Sequence, residues 1–240
     1  MPDLPVTASA ERGKWTLVAA CVVAGGLSVR LDGLGTPLAA MGAGLVGWLA
    51  LLVWEWSRLP SFMRSRAEHD HAWRMLQPLR WLTLGLVVGL VLLAVIKLVI
   101  EPAVPSIGMR IAAAGALPVW RRVIIIYVAA VIEEMIFRLF LLSAIVGFTI
   151  RFLRRTTLVP TAGIVWTANA ASALAFAAVH LPSWTGATPG NAALTLSVIA
   201  LNVAAGLVIG CVFATRGIAP AMWTHAGGDC AIQLLGPLTG

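Results

Sequence analysis

The chain has 240 residues, of which 60% are hydrophobic and 11% charged, with a mean hydropathy of +0.92. Soluble domains carry about 25% charged residues, so this composition excludes an ordinary water-soluble fold and predicts an all-α polytopic membrane protein. The net charge of +7 does not require nucleic acid, because the arginines flank apolar runs, where they orient spans and meet anionic headgroups.

Residues 1–14 are polar. Arg12 and Lys14 precede an apolar run with no good cleavage site after it, so the first span, 15–31, is expected to stay attached. Asp32-Gly33 marks a turn, and 35–56 reads as the second span, with Trp48, Trp54 and Trp56 towards one end as interfacial anchors. Residues 57–80 form the longest polar loop, carrying Arg58, Arg64, Arg66, Arg74 and Arg80. His69-Asp70-His71 lies in it and reads as solvated rather than metal-binding, since no further ligand is near in sequence.

The third span is 81–100, with Lys97 placed to snorkel. Residues 101–122 hold Pro102, Pro105 and Pro118, and part of them reads as an interfacial helix. A fourth span, 123–150, is followed by Arg151, Arg154 and Arg155. The fifth, 161–181, is expected to end at Pro182; the sixth is 191–215, and a less apolar seventh is 218–235. Gly85-xxx-Gly89 and Gly206-xxx-Gly210 have the spacing of close helix packing. Cys21, Cys211 and Cys230 lie in apolar surroundings without CxxC spacing and read as packing residues.

Seven spans agree with the positive-inside rule. Eleven Lys/Arg fall on the side of the N-terminus and four on the other, which predicts a cytoplasmic N-terminus and an outside C-terminus in a bacterial-type cytoplasmic membrane. No polar stretch is long enough to fold alone, so residues 1–118 (N-terminal spans and basic loop) and 119–240 (the helical core with the polar groups) are expected to form one continuous membrane domain.

Three segments carry groups that do not belong in lipid: Val131-Ile-Glu-Glu-Met-Ile-Phe-Arg138, Phe176-Ala-Ala-Val-His180 and His225-Ala-Gly-Gly-Asp229. Charges at the bilayer centre cost about 2.5–3.5 kcal/mol each on insertion scales, so they need partners or a wet cavity. Four-residue spacing puts Glu134 with Arg138, Phe176 with His180 and His225 with Asp229 on common helix faces. Glu133 is rotated by about 100° from Glu134, so Glu134 can pair with Arg138 while Glu133 faces a cavity. There a desolvated carboxylate can act as general base, one histidine can orient water, and another can stabilise an oxyanion or join a metal site. Neither HExxH nor GxSxG is present. Hydrolysis, an ion or proton path, and a purely structural network are all open on this ground.

The order Glu133-Glu134-xxx-Arg138, Phe176-xxx-His180, His225-xxx-Asp229, with the flanks Ile136-Phe137-Arg138 and Ala219-Pro-Ala-Met-Trp-Thr-His225, resembles the CPBP family. These are the type II CAAX prenyl endopeptidases and the bacteriocin-processing or self-immunity (Abi-type) proteins. The resemblance covers roughly residues 120–236 and implies a glutamate-dependent intramembrane endopeptidase. It places Glu133 and His180 at the water, His225 and Asp229 where the family stabilises the oxyanion, and Glu134 and Arg138 as the supporting pair. It also admits a divalent metal such as zinc on Glu133, His180 and His225. The last position is often Asn in the family; here it is Asp229, which cannot donate a hydrogen bond while ionised. The partners implied are membrane lipid and a membrane-bound or lipidated peptide or protein, with no nucleic acid. A catalytically inactive adaptor or immunity protein of the same family is the alternative, and a proton-coupled transporter a further one. With straight, level spans, His180 and His225 would lie near opposite ends of their helices, so convergence is expected to need a broken, re-entrant or tilted helix, at Pro182 or at Gly227-Gly228.

Overall fold

Helix is the local answer for a chain whose long apolar runs must satisfy every backbone group internally. The computed structural model describes residues 8–32, 36–57, 59, 71–153, 159–186 and 191–239, and among them there is helix but no strand. Helices α1 (Ala8–Asp32) and α2 (Thr36–Ser57) pack as a pair. Helix α3 (His71–Val95) runs on as a π-helix through Ile96–Ile100, and α4 (Pro105–Ala114) is a short amphipathic helix. Helix α5 (Val119–Glu134) continues without a gap through a π-helical stretch, Met135–Leu142, into α6 (Ser143–Phe148) and a last π turn, Thr149–Leu153. Helices α7 (Ala162–Thr185) and α8 (Ala192–Arg216) pack side by side, and α9 (Ile218–Cys230) extends as a π turn, Ala231–Leu235. Gly33, His69, Asp70, Arg154 and Arg155 lie outside the described residues, as does the rest of the basic loop from 60 to 70.

Four described helical stretches are long and apolar enough to cross a membrane: Ala39–Ser57, Gln77–Ile100, Ala162–Thr185 and Ala192–Arg216. The chain is therefore a polytopic helical membrane protein. The continuous rod from Val119 to Leu153 carries Arg121, Arg122, Glu133, Glu134, Arg138 and Arg151, which is why it lacks the plain signature of a lipid-facing span. It is the axis of the bundle. Met135, Leu139, Leu142, Val146 and Ile150 are buried along it in one core with Cys21 and Ala24 of α1 and Ala50 and Leu51 of α2. Large side chains such as Leu98 and Leu153 point outward and are more than 70% exposed, as a lipid-facing surface requires.

Two expected breaks are absent. Helix α7 runs through Pro182 to Thr185, and α9 runs through Gly227-Gly228 to Cys230. Pro182 removes one backbone donor close to the helix end, where the loss is mildest, and the Ser183 and Thr185 hydroxyls donate to the His180 and Leu181 carbonyls. The glycines of α9 serve packing instead. A Cβ on Gly227 would lie 2.1 Å from the Leu82 carbonyl oxygen, and one on Gly85 only 1.8 Å from that of Thr224. Gly85, Gly89, Gly227 and Gly228 thus let α3 and α9 touch backbone to backbone. Gly206 and Gly210 do the same for α8 against Ala173 and Asn169 of α7. Convergence without a break follows from unequal lengths: α7 and α8 have 24 and 25 residues and α9 only 13 before its π turn, so helix ends do not lie level. Lys97, expected to snorkel, forms an ion pair with Glu101 at 2.9 Å.

Candidate active site

All six ionisable residues singled out in the sequence meet in one place. Glu134 and Arg138, one turn apart across the junction between α5 and its π continuation, approach to 3.3 Å and are both buried. Arg138 also donates to the Gly206 carbonyl at 3.2 Å, and its guanidinium lies 4.8 Å from the centre of the Phe176 ring. The wide turn is tied to α7 at the same level, where the Ser172 hydroxyl donates to the Phe137 carbonyl at 2.5 Å. A π segment at such a junction shifts the phase of everything after it, a feature common at functional sites.

The two adjacent glutamates do occupy different environments. The Glu134 side chain is wholly buried, whereas that of Glu133 keeps 27% of its surface and faces a cavity of about 270 Å³. Glu134 has a second partner that the sequence does not reveal: His225 Nδ1 lies 2.8 Å from Glu134 Oε1. That carboxylate therefore holds both the arginine and the histidine, and orients the imidazole as such partners do.

His180 is oriented separately, with Nδ1 2.7 Å from the Phe176 carbonyl. A carbonyl can only accept, so Nδ1 carries the proton and the neutral ring turns a lone pair outward on Nε2. The same logic leaves Nε2 of a neutral His225 unprotonated. Glu133 Oε2 then faces His180 Nε2 at 3.8 Å and His225 Nε2 at 3.7 Å, while Asp229 Oδ2 is 3.7 Å from His225 Nε2. These spacings exceed direct hydrogen bonds, and Glu133 Oε2 has no hydrogen-bond partner within the protein. Two carboxylate oxygens and the Nε2 atoms of two imidazoles converge on one volume. Their chemistry suits a group that donates to them, and water is the simplest. Phe176 sits at the centre, its ring 4.6 Å from that of His180 and 5.9 Å from that of His225.

The remaining cavity wall is mostly apolar. Leu92 and Ile96 of α3, Ile107 and Ile111 of α4, and Val198 and Leu201 of α8 lead away from the charged end, and Trp184 lies beneath the Arg110 guanidinium. One half-buried amide, Asn202, also lines it. It was visible in the sequence as a lone carboxamide in an apolar span, but no spacing tied it to the other motifs.

The family model described as type II CAAX prenyl endopeptidase Rce1-like matches residues 115–231. That segment is similar to the Rce1-like family. It contains all six residues above, and it bears out the resemblance read from their order. No curated protein and no solved structure matches the chain. The Rce1-like family supports, at family level, an intramembrane CAAX-type protease, and the apolar helices make the chain an integral membrane protein.

A metal on Glu133, His180 and His225 is tested by the same distances. Zinc bonds of about 2.0–2.1 Å in a tetrahedron put ligand atoms about 3.4 Å apart; here they are 3.7–3.8 Å from Glu133 Oε2. Among the described residues no three His, Cys, Asp or Glu side chains are arranged to hold a metal ion. A metal on these residues would require Glu133 and the two histidines to draw together by a few tenths of an ångström.

Proposed function

We propose that the chain is a glutamate-dependent endopeptidase that hydrolyses a peptide bond at or within the membrane. The observation that carries this reading is Glu133 Oε2, a buried and unpartnered carboxylate oxygen facing the lone pairs of two histidines. Water held there by Glu133 and His180 gives its proton to Glu133 as its oxygen attacks the peptide carbonyl. The oxyanion collapses, the C–N bond breaks, and the proton passes from Glu133 to the leaving amine. Glu134 keeps His225 turned towards the reacting atoms, and Arg138 neutralises Glu134. The adjoining apolar wall suits a substrate presented from the membrane, whether a membrane-bound or a lipidated peptide. The arginine distribution supports a reading with the N-terminus inside, in a bacterial-type cytoplasmic membrane.

The test is turnover in proteoliposomes. Glu133→Gln and His180→Ala abolish cleavage while leaving thermal unfolding unchanged, a loss of about 10²–10⁴-fold for the general base. Full turnover in both variants would refute the mechanism. A chelator leaves the rate unaltered; loss of activity restored by zinc would instead put a metal on Glu133, His180 and His225. A cellular phenotype that survives Glu133→Gln would assign the chain an adaptor or immunity role.

A further inference from the structure

Attack on a peptide carbonyl creates a negative oxygen, and a site without a donor aimed at it forfeits much of its catalytic power. The charged end of this cavity is rich in acceptors and poor in donors. Glu133 and Asp229 only accept when ionised. His225 Nδ1–H is held by Glu134 and His180 Nδ1–H by the Phe176 carbonyl. The Thr224 hydroxyl donates to the Pro220 carbonyl. Arg138 is buried behind Phe176, paired with Glu134 and donating to the Gly206 carbonyl, and it does not line the cavity. Among the described cavity-lining residues, three uncharged donor side chains remain: Asn202, Trp184 and Gln233.

Helix pairing distinguishes them. Helices α7 and α8 run antiparallel, with Asn169 donating to the Leu207 carbonyl and Ala173 against Gly206. One turn further along each helix brings Asn202 to the level of Phe176, the residue whose ring lies between Arg138 and the two histidines. Trp184 lies a full turn beyond His180, under Arg110. Gln233 lies a full turn beyond Asp229, where its carbonyl is held by Arg122 at 2.9 Å. The Asn202 carboxamide is also fixed in orientation. Its Nδ2 donates to the Val198 carbonyl at 2.8 Å, and because that carbonyl can only accept, the amide cannot be turned round. An amide nitrogen has two hydrogens, so one N–H remains for the cavity that Asn202 lines.

We propose that Asn202 supplies the hydrogen bond that stabilises the oxyanion, a task that Asp229 cannot perform while ionised. The inference rests on the peptidase reading. No bond to Asn202 forms or breaks; its N–H strengthens its hold as charge develops on the carbonyl oxygen. Asn202 is thus a catalytic residue that contacts the reacting atoms.

The experiment uses the full chain in proteoliposomes with a peptide that the wild type cleaves, and a peptidyl phosphinate of the same sequence to mimic the tetrahedral intermediate. Asn202→Ala and Asn202→Leu, the second similar in size but without the N–H, lower kcat by about 10²–10³-fold, as expected for loss of one such donor. KM and the melting temperature stay at wild-type values. Phosphinate affinity falls by a similar factor, while affinity for the parent peptide, measured in a Glu133→Gln background, does not change. Trp184→Phe and Gln233→Leu change peptide and phosphinate affinity by the same factor. Wild-type kcat and phosphinate affinity in both Asn202 variants would overturn the assignment, as would an equal loss of peptide and phosphinate binding. If Asn202→Ala does not fold, Asn202→Leu carries the comparison. A wild-type chain that neither cleaves nor binds the phosphinate would overturn the peptidase reading and this inference with it.

Discussion

Arg138 shows how much depends on single buried groups here. Its guanidinium is removed from solvent and held by Glu134, the Gly206 carbonyl and the face of Phe176. Removing one member of a buried ion pair strands the other, at a cost of about 3–5 kcal/mol. Glu134→Ala should therefore lower stability by about that amount and also release His225, so that melting temperature and turnover fall together. Glu133→Gln, by contrast, should stop turnover and leave the melting curve alone, because Glu133 Oε2 has no hydrogen-bond partner among the described residues to lose. Comparing the two melting curves in the same detergent checks the division of labour between neighbouring glutamates. That division was legible in the sequence from the 100° rotation between consecutive helical residues. The Glu134–His225 bond was not, since periodicity within one helix says nothing about which partner arrives from another.

At the scale of elements, the site is set by how closely helices approach. His225 is positioned by α9, and α9 is positioned by its backbone contact with α3 at Gly85 and Gly227. Gly85→Ala should push α9 away, because its new methyl would meet the Thr224 carbonyl at 1.8 Å. Overpacking of this kind costs about 1–3 kcal/mol, and turnover should fall as well because the displaced carbonyl belongs to the residue before His225. Gly163→Ala, where nothing lies within 4 Å, is the control and should change neither melting temperature nor rate. The small-residue spacing in α3 was readable, and so were the positions of the second, third, fifth and sixth spans. The unbroken passage through Pro182 and Gly227-Gly228 was not. It depends on the relative lengths and levels of α7 and α9, which hydropathy along one strand of sequence does not encode. The π-helical stretch from Met135 to Leu142 left no mark in composition either, since the same apolar residues suit either helix type.

For the whole molecule, the polar groups and the long apolar runs have one explanation: an acceptor-lined cavity inside a membrane bundle. The arginine distribution, read as topology, makes a further expectation. Reporter fusions should place the N-terminus in the cytoplasm and the C-terminus outside, and a cytoplasmic C-terminus would mean an even number of spans. The central claim is that Glu133 and His180 activate water for peptide hydrolysis. The most direct test is cleavage of a membrane-anchored peptide by purified wild type, Glu133→Gln and His180→Ala in proteoliposomes, with folding followed in parallel. Cleavage by the wild type, lost in both folded variants, is the predicted result; cleavage that persists in folded Glu133→Gln would contradict it.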